Sequence, residues 1–170
     1  MYKTIITFIF LSLAITGQAI AAPVARVGIV DLQRAVSECR EGIAARTAVQ
    51  KKTEQYNAEL KSKLTDIERL RAELKEKLST DDRTSKEELL QKKIREFQYR
   101  QQEVKDDLKQ LESEYLKKII NKFGVLLGKI GENGNFSAIL DRSAGVLYFG
   151  KENDITAQLV KLADEDYAKR

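Results

Sequence analysis

The sequence predicts a mainly α-helical protein: a long antiparallel coiled-coil hairpin projecting from a small β-rich body that several copies share. Three observations predict it. No glycine or proline occurs between Gly42 and Gly124, and that stretch is rich in Lys, Glu, Gln, Leu and Arg, all strong helix formers. Within it, apolar residues recur at alternating steps of three and four on two segments that mirror each other about Asp82. Strand signals are confined to the two ends.

The first element is an export leader. Lys3 precedes an apolar run from Ile5 to Ile15 broken only by Thr7 and Ser12, and Ala19-Ile20-Ala21 supplies a small-x-small cleavage pattern. Residues 1–21 therefore read as a signal peptide cleaved after Ala21. The apolar run falls short of the ~20 residues that span a bilayer.

A short strand follows at Ala25 to Val30, with Asp31 as N-cap for the helix from Leu32. Residues 43–130 form the arm. Its first seam is Val49, Thr53, Tyr56, Leu60, Leu64, Ile67, Leu70 and Leu74; its second is Leu90, Ile94, Phe97, Gln101, Val104, Leu108, Leu111 and Tyr115. Reversed about Asp82, the two seams meet residue by residue, with Leu64 and Gln101 one step out of register. The polar run at 79–85 is the expected turn, and Thr84-x-x-Glu87 and Ser85-x-x-Glu88 both read as capping boxes for the second helix. At ~1.5 Å per residue, arms of about 40 residues reach roughly 60 Å.

The body is assigned to residues 22–42 and 131–170. After a loop at Gly131 to Asn135 come a strand at Phe136 to Leu140, a turn at Asp141 to Gly145 and a third strand at Val146 to Phe149. Asp154 then caps a last helix with Ile155, Leu159 and Leu162 on one face. Three short strands with open edges and one small helix bury little by themselves. Several protomers are therefore expected to pool the body, through Val27, Ile29, Phe136, Ile139, Leu140, Val146 and Tyr148.

Catalytic chemistry finds little support. Histidine is absent and Cys39 is the only cysteine, which removes imidazole-dependent mechanisms and any intramolecular disulfide. No metal set or cofactor motif stands out. Gly124 to Lys129 mimics a phosphate loop but is one residue short, with Ile130 where Ser or Thr is needed; close backbone packing of Gly124 and Gly128 against the body explains the pair better. The adjacent carboxylates at Asp81-Asp82, Glu87-Glu88 and Asp106-Asp107 point about 100° apart on a helix and read as solvated charge. Lys92-Lys93 and Lys117-Lys118 are basic, but an export leader directs the chain away from nucleic acid.

Taken in order, the leader, the Val30-Asp31-Leu32-Gln33-Arg34 stretch, the helical hairpin, Ala138-Ile139-Leu140-Asp141, Val146-Leu147-Tyr148 and Asp154-Ile155-Thr156 resemble the Skp/OmpH family of periplasmic chaperones. The resemblance covers everything after the leader. It implies a periplasmic homotrimer, jellyfish-like, in which three hairpins project from a β-rich core around a cavity. It also implies that the cavity holds unfolded outer-membrane β-barrel proteins without ATP, that anionic membrane lipid is a further contact, and that there are no catalytic residues to carry over.

The charge distribution suits that job. Residues 43–130 hold 21 Lys or Arg against 16 Asp or Glu, net +5, whereas the rest of the chain after the leader is net negative. Positive arms attract an acidic client by weak multipoint contact. The client-binding candidates are Lys75, Lys77, Arg83, Lys86, Lys92, Lys93 and Arg95 near the tip, with Tyr99 as the aromatic contact. A structural coiled-coil adaptor or spacer of the envelope is the competing class; the free polar turn favours the chaperone.

Overall fold

The computed structural model describes residues 25–77 and 79–169; the expected leader and its cleavage point at Ala21 lie outside them. Strand β1 (Val27–Val30) ends at Asp31, whose carboxylate accepts the Arg34 N–H at 2.8 Å and starts helix α1 (Leu32–Glu38). This is the cap expected from the sequence. Cys39 then interrupts the helix in an extended conformation. Its Sγ accepts the Gly42 N–H at 3.3 Å and caps helix α2 (Arg40–Glu73). Only glycine fits at 42, because a Cβ there would fall 1.8 Å from the Val36 carbonyl oxygen. The thiol is buried, and burial pushes its pKa up.

Helix α3 (Thr80–Gly134) is continuous over 55 residues, about 80 Å, against about 50 Å for α2. The two run antiparallel as expected. Tyr56 pairs with Asp107 and Glu41 with Lys122, both centred between Asp81 and Asp82; Glu59 pairs with Arg100 and Glu73 with Lys86, centred between Ser79 and Thr80. Tyr56, Ile67, Leu70 and Val104 are buried on the seam, and the other seam positions are half-buried. Leu64 and Gln101 are the exceptions. Both are exposed, and they are the pair that the mirror left one step out of register.

The reversal needs a correction. It lies between Glu73 and Thr80, and the segment expected to turn at 79–85 is already helical from Thr80. Ser79 is the cap: its Oγ accepts the Asp82 N–H at 3.2 Å and donates to Asp82 Oδ2 at 2.6 Å. Asp81 and Asp82 then sit in the first turn, where carboxylates oppose the positive helix end. That cap wins over the two boxes beginning at Thr84 and Ser85.

In the body, strand β2 (Ala138–Asp141) lies parallel to β1, with Val27 opposite Ala138 and Val30 opposite Asp141. A single bridge joins Ile29 to Asp154, and helix α4 (Thr156–Tyr167) follows. The loop expected at Gly131 to Asn135 is instead the end of α3, closed by Asn135 in the left-handed conformation at φ 51°. Asn tolerates that geometry at a helix C-terminus. The turn at 142–145 is present, with Gly145 at φ 86°. The third strand is not: Val146 to Phe149 pairs with no strand, and the two-stranded sheet leaves the outer edge of β2 unpaired among the described residues.

The largest departure concerns the core. Ile119, Phe123, Leu126 and Ile130 of α3 pack with Val30, Ala35, Cys39, Ile155, Leu159 and Ala163 into one buried cluster. The end of the expected arm, residues 119–130, is therefore body, and one chain contains more core than its strands alone promise. Gly124 and Gly128 correct the other way. Both are exposed, and an added Cβ at either meets nothing within 4 Å, so neither packs against its own body.

Candidate functional site

The hairpin tip is polar and cationic. Lys75, Lys77, Lys92 and Arg95 are exposed and make no ion pair among the described residues. Three other candidates are engaged locally. Lys86 reaches across the hairpin to Glu73 at 2.5 Å, Lys93 lies 3.8 Å from Glu96, and Arg83 donates to the Leu74 carbonyl oxygen at 3.4 Å, closing the open end of α2. Tyr99 stands off the seam at 69% exposure, as its position one step aside suggests. Four cations and one aromatic ring are thus free to meet a partner.

Midway along the hairpin, a clamp that sequence reasoning missed fixes the helices. Arg100 donates two bonds of 2.8 Å to the Glu59 carboxylate and lies over the Tyr56 ring, which is also flanked by Lys52. Tyr56 in turn donates to Asp107 at 2.8 Å. The fork from Arg100 holds the Glu59 carboxyl below its ordinary pKa. Side-chain pairs across two helices leave no spacing signature on either one, so the pattern of apolar residues could not reveal them.

At the root, Lys122 joins three helices. Its ammonium meets Glu41 at 3.1 Å and Asp166 at 2.8 Å, and it donates to the Ala163 carbonyl oxygen at 3.4 Å. Glu41 is itself buried and also lies 3.5 Å from Lys118. Burial alone would lower the Lys122 pKa, but the two carboxylates carry it above its usual value.

The segments that support the resemblance converge on one polar knot. The Asp31 N–H donates to Thr156 Oγ1 at 2.9 Å, and Arg34 meets Asp154 at 3.1 Å. The Thr156 N–H donates to Asp154 at 2.9 Å, the Leu32 N–H to Asp141 at 3.4 Å, and Arg142 to Asp31 at 3.3 Å. These residues tie β1, β2, α1 and α4 together, which is a structural role. Burial raises the Asp154 pKa, but bonds from Thr156 and Arg34 outweigh it and leave the carboxyl below its ordinary value. Asp141 is lowered likewise: against its burial stand the Ser143 hydroxyl and the N–H groups of Leu32, Ser143 and Arg142. A lowered carboxyl stabilises the fold above the ordinary carboxylate pKa near 4, and that contribution is lost as pH falls through the lower folded value. Thermal stability is therefore expected to hold from about pH 7 to about pH 5 and to fall below about pH 4. Melting curves across that range check this, and an Asp154→Asn variant should show a lower melting temperature at pH 7 and a shallower acid decline.

Of the seven body candidates, Ile29 is buried, and Val27, Phe136, Ile139 and Val146 are half-buried. Register brings Val27 and Ile29 alongside Ala138 and Leu140, and Phe136 lies under Gly28 with Arg26 stacked 4.3 Å above its ring. Leu140 and Tyr148 are exposed, and Tyr148 has no neighbour in the sheet. Among the described residues, no group of His, Cys, Asp and Glu is arranged to hold a metal, and no helix is long and apolar enough to cross a membrane.

The described residues thus form a long helical hairpin with a cationic tip, rooted in a small α/β body. The profile of the family described as "Outer membrane protein (OmpH-like)" matches residues 26–162, and the chain belongs to that family. Among solved structures it is similar to an OmpH-like outer membrane chaperone from Caulobacter crescentus CB15, with TM-score 0.78 over 85% of this chain and 87% of that one. At 23% identity that likeness is one of fold. A search of curated proteins gives no match.

Proposed function

We propose that the protein is an ATP-independent periplasmic holdase: a homotrimer whose three hairpins surround unfolded outer-membrane β-barrel proteins and keep them from aggregating. The observation that carries this reading is the hairpin itself, about 50 Å of paired helix ending in four exposed cations, Lys75, Lys77, Lys92 and Arg95, with no ion-pair partner among the described residues. A stable apolar patch at the tip would suit one fixed partner. A solvated cationic surface with an isolated tyrosine suits many weak contacts, each easily released. Folding reduces the client's available contacts, so release needs no nucleotide. Anionic lipid headgroups match the same charge, and a purely structural spacer does not need it.

An aggregation assay tests the proposal. At stoichiometric amounts the chain from Ala22 onward should keep a urea-diluted β-barrel protein soluble, whereas a spacer should leave it to precipitate. The charge component has its own expected result. Client affinity should fall severalfold between about 0.01 and 0.15 M ionic strength, as the screening length drops from about 30 to about 8 Å. Affinity indifferent to salt over that range excludes the electrostatic part.

A further inference from the structure

At the root of the hairpin, the first turns of α2 carry small side chains while α3 opposite carries large ones. Between Ala45 and Val49 on one wall and Leu116 and Ile119 on the other lies an open apolar cavity of about 230 Å³. Arg46 and Glu112 stand at its edge, both exposed, and neither has an ion-pair or hydrogen-bond partner among the described residues. Beside it, Ile43 and Leu116 are each half exposed, at 51% and 50%. An apolar slot flanked by one uncommitted cation and one uncommitted carboxylate is not needed to hold the hairpin together, since the seam continues on either side of it.

We propose that this groove is a subsite for an extended polypeptide segment, taking one large apolar or aromatic side chain. The space accepts a single side chain and not a helix, which is about 10 Å across. The two charges complement an unpaired backbone, whose carbonyl oxygen accepts from Arg46 and whose N–H donates to Glu112. A barrel strand offers such a segment, with apolar and polar residues alternating and aromatic residues near its ends. The inference rests on the chaperone reading and adds to it a defined apolar contact at the arm's base, distinct from the cationic tip.

The probe is a spin-labelled ten-residue peptide of alternating valine and threonine with one central phenylalanine. It is added to the full chain from Ala22 onward carrying methyl-labelled Ala, Val, Leu and Ile. The label should broaden the methyl signals of Ala45, Val49, Leu116 and Ile119. Ala45→Phe, which fills the groove, should weaken peptide binding about tenfold, the worth of burying one large apolar side chain. Because that variant crowds a helix pair, the surface change Arg46→Ala serves beside it and should weaken binding by about tenfold, as loss of one charged hydrogen bond predicts. If the chain keeps a barrel protein soluble while the peptide broadens none of these methyls, the subsite is refuted and the holdase reading stands. If the chain fails to keep the barrel protein soluble, that reading falls and takes the subsite with it. A change in native mass for Ala45→Phe, with peptide affinity unaltered, would identify the groove as a contact between copies and overturn the inference.

Discussion

Replacing Leu147 and Tyr148 together with serine is expected to convert the assembled protein into single chains. The two side chains are 99% and 89% exposed on a segment that pairs with no strand of its own chain. Large apolar groups left this bare in an otherwise packed body are the mark of a surface that another molecule covers. On the trimer reading each copy buries one Leu and one Tyr against a neighbour, worth about 1.5–3 kcal/mol apiece. The loss therefore recurs at every interface of a closed ring. Native mass at micromolar concentration is the measurement: the parent should run as three chains and the double variant as one, with unchanged helical circular dichroism. A parent that is already a single stable chain would remove the trimer, and with it the cavity.

Phe123→Ala is expected to be the most damaging single change to the fold. Phe123 is 1% exposed at the centre of the body cluster, and truncating a buried phenylalanine typically costs about 3–5 kcal/mol through lost burial and the cavity left behind. Urea unfolding should show the midpoint falling with little change in slope. Truncation of the exposed Tyr99 to alanine should leave the unfolding free energy within about 0.5 kcal/mol of the parent. If Phe123→Ala unfolds like the parent, α3 does not anchor the arm in the body as described.

How much of this was legible beforehand follows from the kind of signal each feature leaves. The hairpin was readable because its seam repeats in the sequence, and the mirror about Asp82 agrees with the cross-arm pairs to within a few residues. The turn was displaced because three capping patterns compete within ten residues, 79–88, and only packing and helix-end charge choose Ser79. The body core was missed for a different reason: Ile119, Phe123, Leu126 and Ile130 continue the helical spacing of the arm, so nothing local marks where the helix leaves one partner and meets another. The third strand failed because a strand is a relation between segments, and Val146 to Phe149 has the right residues but pairs with no strand among the described residues. Of the tip candidates, exposure was predictable, but the diversion of Lys86 to Glu73 and of Arg83 to the Leu74 carbonyl depends on where the turn falls.

The parallel pairing of β1 with β2 also sets an order of events. Val27 must wait for Ala138, and about two thirds of the chain is made between them. Closing so large a loop from a disordered chain is entropically slow. Helix pairing between α2 and α3 brings the ends together first, which turns a long-range encounter into a short one. A newly made chain therefore zips its arm from the reversal toward the body and seals the little sheet last. Until that moment the two strands stay single, with their backbone groups left to water.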